Sequence, residues 1–147
     1  MRTILSKTAV LAVISTALFS FSSKPGGEGF EISLNSKVVL QQYGSDMNNV
    51  KSLQLGQASA DDKLTVKYHH CGKVGKNRVI TIKDGQNNTL KEFRYPDAST
   101  PVAAMMIPVK DIMGLIKGSN GALKLYYAST ELPNGRMLAS ISRGWIS

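Results

Sequence analysis

LTVKYHHCGKVGKNRVITIKDGQNNTLKEFRY, residues 64–95, reads as strand, basic loop, strand, tight turn, strand. Leu64, Val66 and Tyr68 alternate with Thr65, Lys67 and His69. A period of two marks a half-buried strand, because successive side chains leave opposite faces of the pleat. Cys71 to Asn77 carries Gly72 and Gly75, residues typical of loops. Arg78 to Lys83 is dense in β-branched residues, whose stiff side chains suit a pleated surface. Asp84-Gly85 is a hairpin signal, lengthened by Gln86-Asn87-Asn88. Leu90 to Tyr95 returns as the last strand of the block, with Phe93 and Tyr95 on one face. Pro96 ends it, since proline has no N–H to give a ladder.

The same rhythm extends outward. Phe30, Ile32 and Leu34 predict a strand, and Lys37 to Tyr43 a second one beyond a turn at Asn35-Ser36. Gly44 to Asn49 reads as a loop, Val50 to Leu55 as a short strand with Leu53 and Leu55 in the core, and Gly56 to Asp62 as a loop. Val102 to Ile107 is apolar throughout and is assigned as a strand because Pro108 stops it. Val109, Ile112, Met113 and Ile116 stand at i, i+3, i+4 and i+7, the stripe of an amphipathic helix. Pro108 suits its first position and Gly118 its C′ position, while Asp111 and Lys117 complement the dipole. Gly114 inside it weakens the helix. This helix is expected to plug one end of the fold. Leu123, Leu125 and Tyr127, then Met137, Ala139 and Ile141, predict a last hairpin with a type I turn at Leu132-Pro133-Asn134-Gly135. Trp145 is expected to cover the core. Eight or nine short strands, one short helix and no βαβ repeat predict an all-β fold, an antiparallel β-sandwich forming a single domain over residues 30–147.

Residues 1–22 read as a signal peptide, followed by a flexible lead-in at 23–29. Arg2 and Lys7 make a positive start, and Thr8 to Phe21 is an uncharged apolar run too short for a comfortable membrane span. Ser20 and Ser22 suit a signal peptidase site, so the mature protein is expected outside the cytoplasm, secreted or periplasmic, with no transmembrane segment after cleavage. Cleavage removes Arg2 and Lys7 and no acid, so the charge of +8 becomes +6. That charge favours solubility and attraction to anionic surfaces. Cys71 has no cysteine to pair with in the chain and is expected to be buried as a small hydrophobe.

His69, His70 and Cys71 form the one cluster of soft ligand types. On an extended strand His69 and Cys71 share a side, so two of the three can meet one copper or zinc ion, with a third ligand to come from elsewhere. Gly72-Lys73-Val74-Gly75-Lys76 echoes a phosphate loop but has two residues where four are needed, and a strand follows it. No nucleophile elbow and no zinc-protease motif occur. No residue is therefore assigned a catalytic role, and no cofactor is expected. Lysines concentrate in the central block, and Lys63, Lys67, Lys83 and Lys91 are expected to align on one outer face. Lys67, Lys73, Lys76 and Arg78 are the candidate ligand-binding residues, for an anionic glycan, an envelope polymer or another envelope protein. Aromatic residues are too sparse among these cations for a nucleic-acid platform. The expected function is non-catalytic binding. The alternatives are a small metal-handling protein using His69 and Cys71, and a hydrolase with an unrecognised site.

Overall fold

The structure, a computed structural model, describes residues 27–56, 58–119 and 121–144. The expected signal peptide and Trp145 lie outside the described residues. In chain order the elements are β1 (Glu28–Leu34), β2 (Lys37–Tyr43), a 3-10 helix (Gly44–Asn48), β3 (Lys51–Gln54), β4 (Lys63–His70), β5 (Arg78–Lys83), β6 (Thr89–Tyr95), β7 (Ala104–Pro108), α1 (Val109–Gly118), β8 (Ala122–Ser129) and β9 (Leu132–Ser142). They form a four-stranded sheet, β2-β1-β4-β7, and a five-stranded sheet, β3-β9-β8-β5-β6. The fold is all-β and sandwich-like. The inward residues of both sheets, among them Ile32, Leu64, Val66, Ile80, Ile82, Leu123 and Leu125, join one hydrophobic cluster.

Alternation does the sorting. In β4 the buried residues are Leu64, Val66, Tyr68 and His70, and in β8 they are Leu123, Leu125, Tyr127 and Ser129. Both strands therefore carry an apolar stripe that ends in a polar residue at the same end of the fold. The 3-10 helix hands the chain from one sheet to the other, burying Met47. It also delivers β3 alongside β9 in parallel, so the sheets are not purely antiparallel as expected.

One other sequence expectation changes. The last hairpin turns at Thr130-Glu131, not at Leu132–Gly135. Ser129 pairs with Leu132 and Tyr127 with Arg136, so Pro133, Asn134 and Gly135 stand opposite Ala128 as a bulge. Gly135 adopts φ +71°, which a bulge exploits and a residue with a side chain resists. The turn is drawn to Thr130-Glu131 by the 72–77 loop. Thr130 N–H donates to the Lys76 carbonyl at 2.8 Å, and Lys76 N–H donates to the Glu131 carboxylate at 3.0 Å. A second bulge in β9 places Leu125 opposite Ala139 and Tyr126 opposite Met137, so adjacent Leu138 and Ala139 are both buried.

α1 forms where its stripe predicts, starting one residue later and ending two residues later than expected. Pro108 is its N-cap and Gly118 its last residue. Val109, Ile112 and Ile116 are buried, and the helix packs on β7 and β8. It closes the end of the fold opposite to that of His70 and the 72–77 loop, because β4 and β8 run between the two.

Candidate functional site

The polar ends of β4 and β8 meet in a network across the two sheets. Tyr68 stacks on Tyr127 with ring centroids 4.4 Å apart. His70 Nε2 lies 2.8 Å from the Tyr127 hydroxyl and 3.3 Å from Ser129 Oγ. On the same side, the Tyr68 hydroxyl donates to Glu28, and Arg136 of β9 reaches both, with Nε 3.2 Å from the tyrosine oxygen and an ion pair to Glu28 at 3.4 Å. Burial holds the Tyr68 hydroxyl well above the usual tyrosine range, with Glu28 adding to the effect, and raises the Tyr127 hydroxyl.

Ser129 beside an imidazole has the composition of a nucleophile and its base. Here the pair is buried between the two sheets. Ser129 is 5% exposed and His70 8%, and the shorter contact of Nε2 is with Tyr127. Sequence reading missed this network because Glu28, Arg136 and Ser129 lie far apart in the chain. The one legible hint was that both stripes end on a polar residue.

The imidazole responds to pH. Burial lowers the His70 pKa below its ordinary 6.5, against the raising charges of Glu131 and Glu28. A depressed folded pKa means that the unfolded chain takes up the proton first. Stability is thus fully present above about pH 6.5 and is lost as pH falls below it towards the folded value. The midpoint of denaturant unfolding is expected to drop between pH 7.5 and pH 5. His70→Gln is expected to flatten that dependence, and an unchanged slope in this variant would remove His70 as its cause.

The metal-type residues do not converge. β4 ends at His70, and Cys71 turns away with φ +55° into a turn closed by Lys73 N–H to the His70 carbonyl at 3.1 Å. The shared side expected for His69 and Cys71 depends on an extended backbone that stops one residue earlier. His69 lies on the outer face against Tyr43, with ring centroids 5.7 Å apart. Cys71 is exposed, not buried as expected. Among the described residues no three or more His, Cys, Asp or Glu side chains are grouped to hold a metal ion.

The four candidate cations divide. Lys73 and Lys76 are exposed on the 72–77 loop, and Lys67 is half-buried on the outer face of the four-stranded sheet, opposite Glu31 in register. Arg78 is 7% exposed and works inward. Its guanidinium donates to the Pro96 carbonyl at 2.9 and 3.1 Å and to the Ala103 carbonyl at 3.0 Å. It ties down the connection between β6 and β7. The phosphate-loop echo is also filled from within. Lys76 N–H binds Glu131 and Asn77 N–H binds Asp97 at 2.8 Å, so these amides already hold carboxylates of the chain. Burial opposes it, but the amides of Lys76 and of Glu131 itself hold the Glu131 carboxyl below its usual range.

Nor do the four lysines expected on one face share it. Lys63 and Lys67 belong to β4 in the four-stranded sheet, whereas Lys83 and Lys91 belong to β5 and β6 in the other. Lys91 is paired with Asp111 at 3.0 Å, and Lys83 lies over the Tyr126 ring at 4.6 Å.

At the far end, a cleft of about 270 Å³ opens between α1, Leu55 and Arg143. No helix among the described residues is long and apolar enough to cross a membrane. In comparisons with known proteins, no family model matches the chain and no curated protein matches it.

Proposed function

We propose that the chain is an exported, non-catalytic β-sandwich that binds an anionic polymer, of the glycan or envelope type, through Lys67, Lys73 and Lys76. What supports the reading is where the negative charge goes. Asp62 accepts from Ser59 N–H, Asp84 from the amides of Gln86 and Asn88, Asp97 from Asn77 and Glu131 from Lys76. These carboxylates serve backbone amides. The ion pairs among the described residues take up Lys91, Arg94 and Arg136. Lys67, Lys73 and Lys76 are in none of them, which leaves three cations without an ion-pair partner among the described residues on a chain of net positive charge. Such a surface concentrates polyanions from solution, and salt screens the attraction.

The test is retention on a dextran sulfate column. The variant Lys67→Glu/Lys73→Glu/Lys76→Glu is expected to elute at clearly lower salt than Lys37→Glu/Lys51→Glu/Lys124→Glu, which carries the same charge change elsewhere. Equal elution of the two would reduce the interaction to net charge and sink the assignment.

A further inference from the structure

We infer that the cleft beside α1 binds a single-chain amphiphile with an anionic head, a carboxylate or phosphate carried on an acyl chain. This site lies at the opposite end from Lys73 and Lys76 and does not depend on polymer binding.

The cleft has two chemistries. Its apolar lining comes from Leu55 and Ile116, both buried, with Met113 and Ala60. Its charged groups are Lys110, Lys117 and Arg143, and no carboxylate lines it among the described residues. Lys110 and Lys117 share a helix face, separated by two turns or about 10 Å along the axis. Met113 and Gly114 lie between them on that same face. The helix acid Asp111 is engaged elsewhere, with Lys91. None of the three cations forms an ion pair among the described residues.

One wall of the cleft is fixed by close backbone packing. Gly114 is exposed and faces open space, as a Cβ there would meet no atom within 4 Å beyond its chain neighbours and the helix's own backbone. The facing wall is held by Leu55 N–H bonded to the Ser142 carbonyl at 3.0 Å. Gly56 then passes so close to the Arg143 carbonyl that a Cβ would stand 2.6 Å from the oxygen. Only a residue without a side chain allows that approach, and it brings Arg143 to the rim.

These features select the ligand. An apolar floor under uncompensated cations complements a molecule with a tail and an anionic head. A volume of about 270 Å³ sits at the lower edge of small-molecule sites, suiting one narrow chain more than a fused ring system. A fully hydrophilic anion would leave the Leu55, Met113 and Ile116 surface wet, and a neutral lipid would leave three cations unanswered.

The experiment uses the full chain with ¹³C-methyl-labelled methionine. Decanoate, decyl phosphate, decanol and inorganic phosphate are titrated below their aggregation limits and followed by calorimetry and methyl NMR. Decanoate or decyl phosphate is expected to move the Met113 methyl and to bind at least tenfold more tightly than decanol or inorganic phosphate. Lys110→Gln/Lys117→Gln/Arg143→Gln is expected to weaken binding at least tenfold. Gly114→Leu, which fills the open space, is expected to abolish it while the thermal transition is retained. Co-sedimentation with phosphatidylglycerol vesicles separates the sources: loss of pelleting in Gly114→Leu indicates a membrane lipid as ligand, whereas no pelleting of the parent chain indicates a free amphiphile. Decanol binding as tightly as decanoate, inorganic phosphate binding as tightly as decyl phosphate, or full binding by folded Gly114→Leu would each overturn the inference.

Discussion

Tyr127→Ala is expected to destabilise the protein by about 4 kcal/mol, the range for removing a large buried aromatic ring. The ring is 1% exposed and stacks on Tyr68 with an angle of 24° between planes. Tyr68 belongs to one sheet and Tyr127 to the other, so the stack is a direct joint between them. Truncation leaves a cavity at that joint and strips His70 Nε2 of its 2.8 Å partner. Stabilities of single domains run at roughly 5–15 kcal/mol, so this one change removes a large part of the margin. Tyr127→Phe keeps the stack and loses the hydroxyl contact, at an expected cost of about 1 kcal/mol. Urea unfolding of the two variants checks this. Equal losses would mean that the hydroxyl, and not the ring, joins the sheets.

Arg78→Met is expected to cost about 3 kcal/mol, since it keeps the apolar stem but loses three charge-assisted hydrogen bonds to part-buried carbonyl oxygens. The guanidinium serves Pro96 and Ala103 from inside the fold, and its central carbon Cζ lies 6.0 Å from the centre of the Tyr95 ring. That ring has its own role: burial pushes the Tyr95 hydroxyl up to about 12, against the lowering charge of Arg78, and it donates to the Met106 carbonyl at 2.8 Å. Releasing the arginine frees the connection from Pro96 to Ala103, so limited proteolysis is expected to cut there before global unfolding. Arg78→Lys recovers little, because an ammonium lacks the planar fork that spans two carbonyls. A resistant connection and an unchanged midpoint in Arg78→Met would show that other contacts hold this segment.

The strands were legible because each one is sorted by water. Leu64, Val66 and Tyr68 alternate with polar residues, and the structure buries those three as the pattern predicts. The helix stripe was legible for the same reason at a different period. Where the alternation breaks, reading fails. Pro133-Asn134-Gly135 has turn chemistry, yet the turn lies earlier because the 72–77 loop holds Thr130 and Glu131. Arg78 looked like a surface cation because its charge suggests water; the carbonyls of Pro96 and Ala103 gave it partners inside the fold. Cys71 looked like a core residue because its type usually is, and a left-handed backbone at the end of β4 turned it outward.

The sequence by itself determined the class of fold, the location of its strands and helix, and the positive balance of charge. Those properties follow from local periodicity and composition, which neighbouring residues carry without help. The tertiary structure alone decided which distant groups meet: Glu28 with Arg136, His70 with Tyr127, and Lys110 and Lys117 with Arg143 across an open cleft. Such meetings depend on strand order, on bulges and on the crossing of the chain between sheets. No local pattern encodes them, because their free energy is gained only when separated segments pack together.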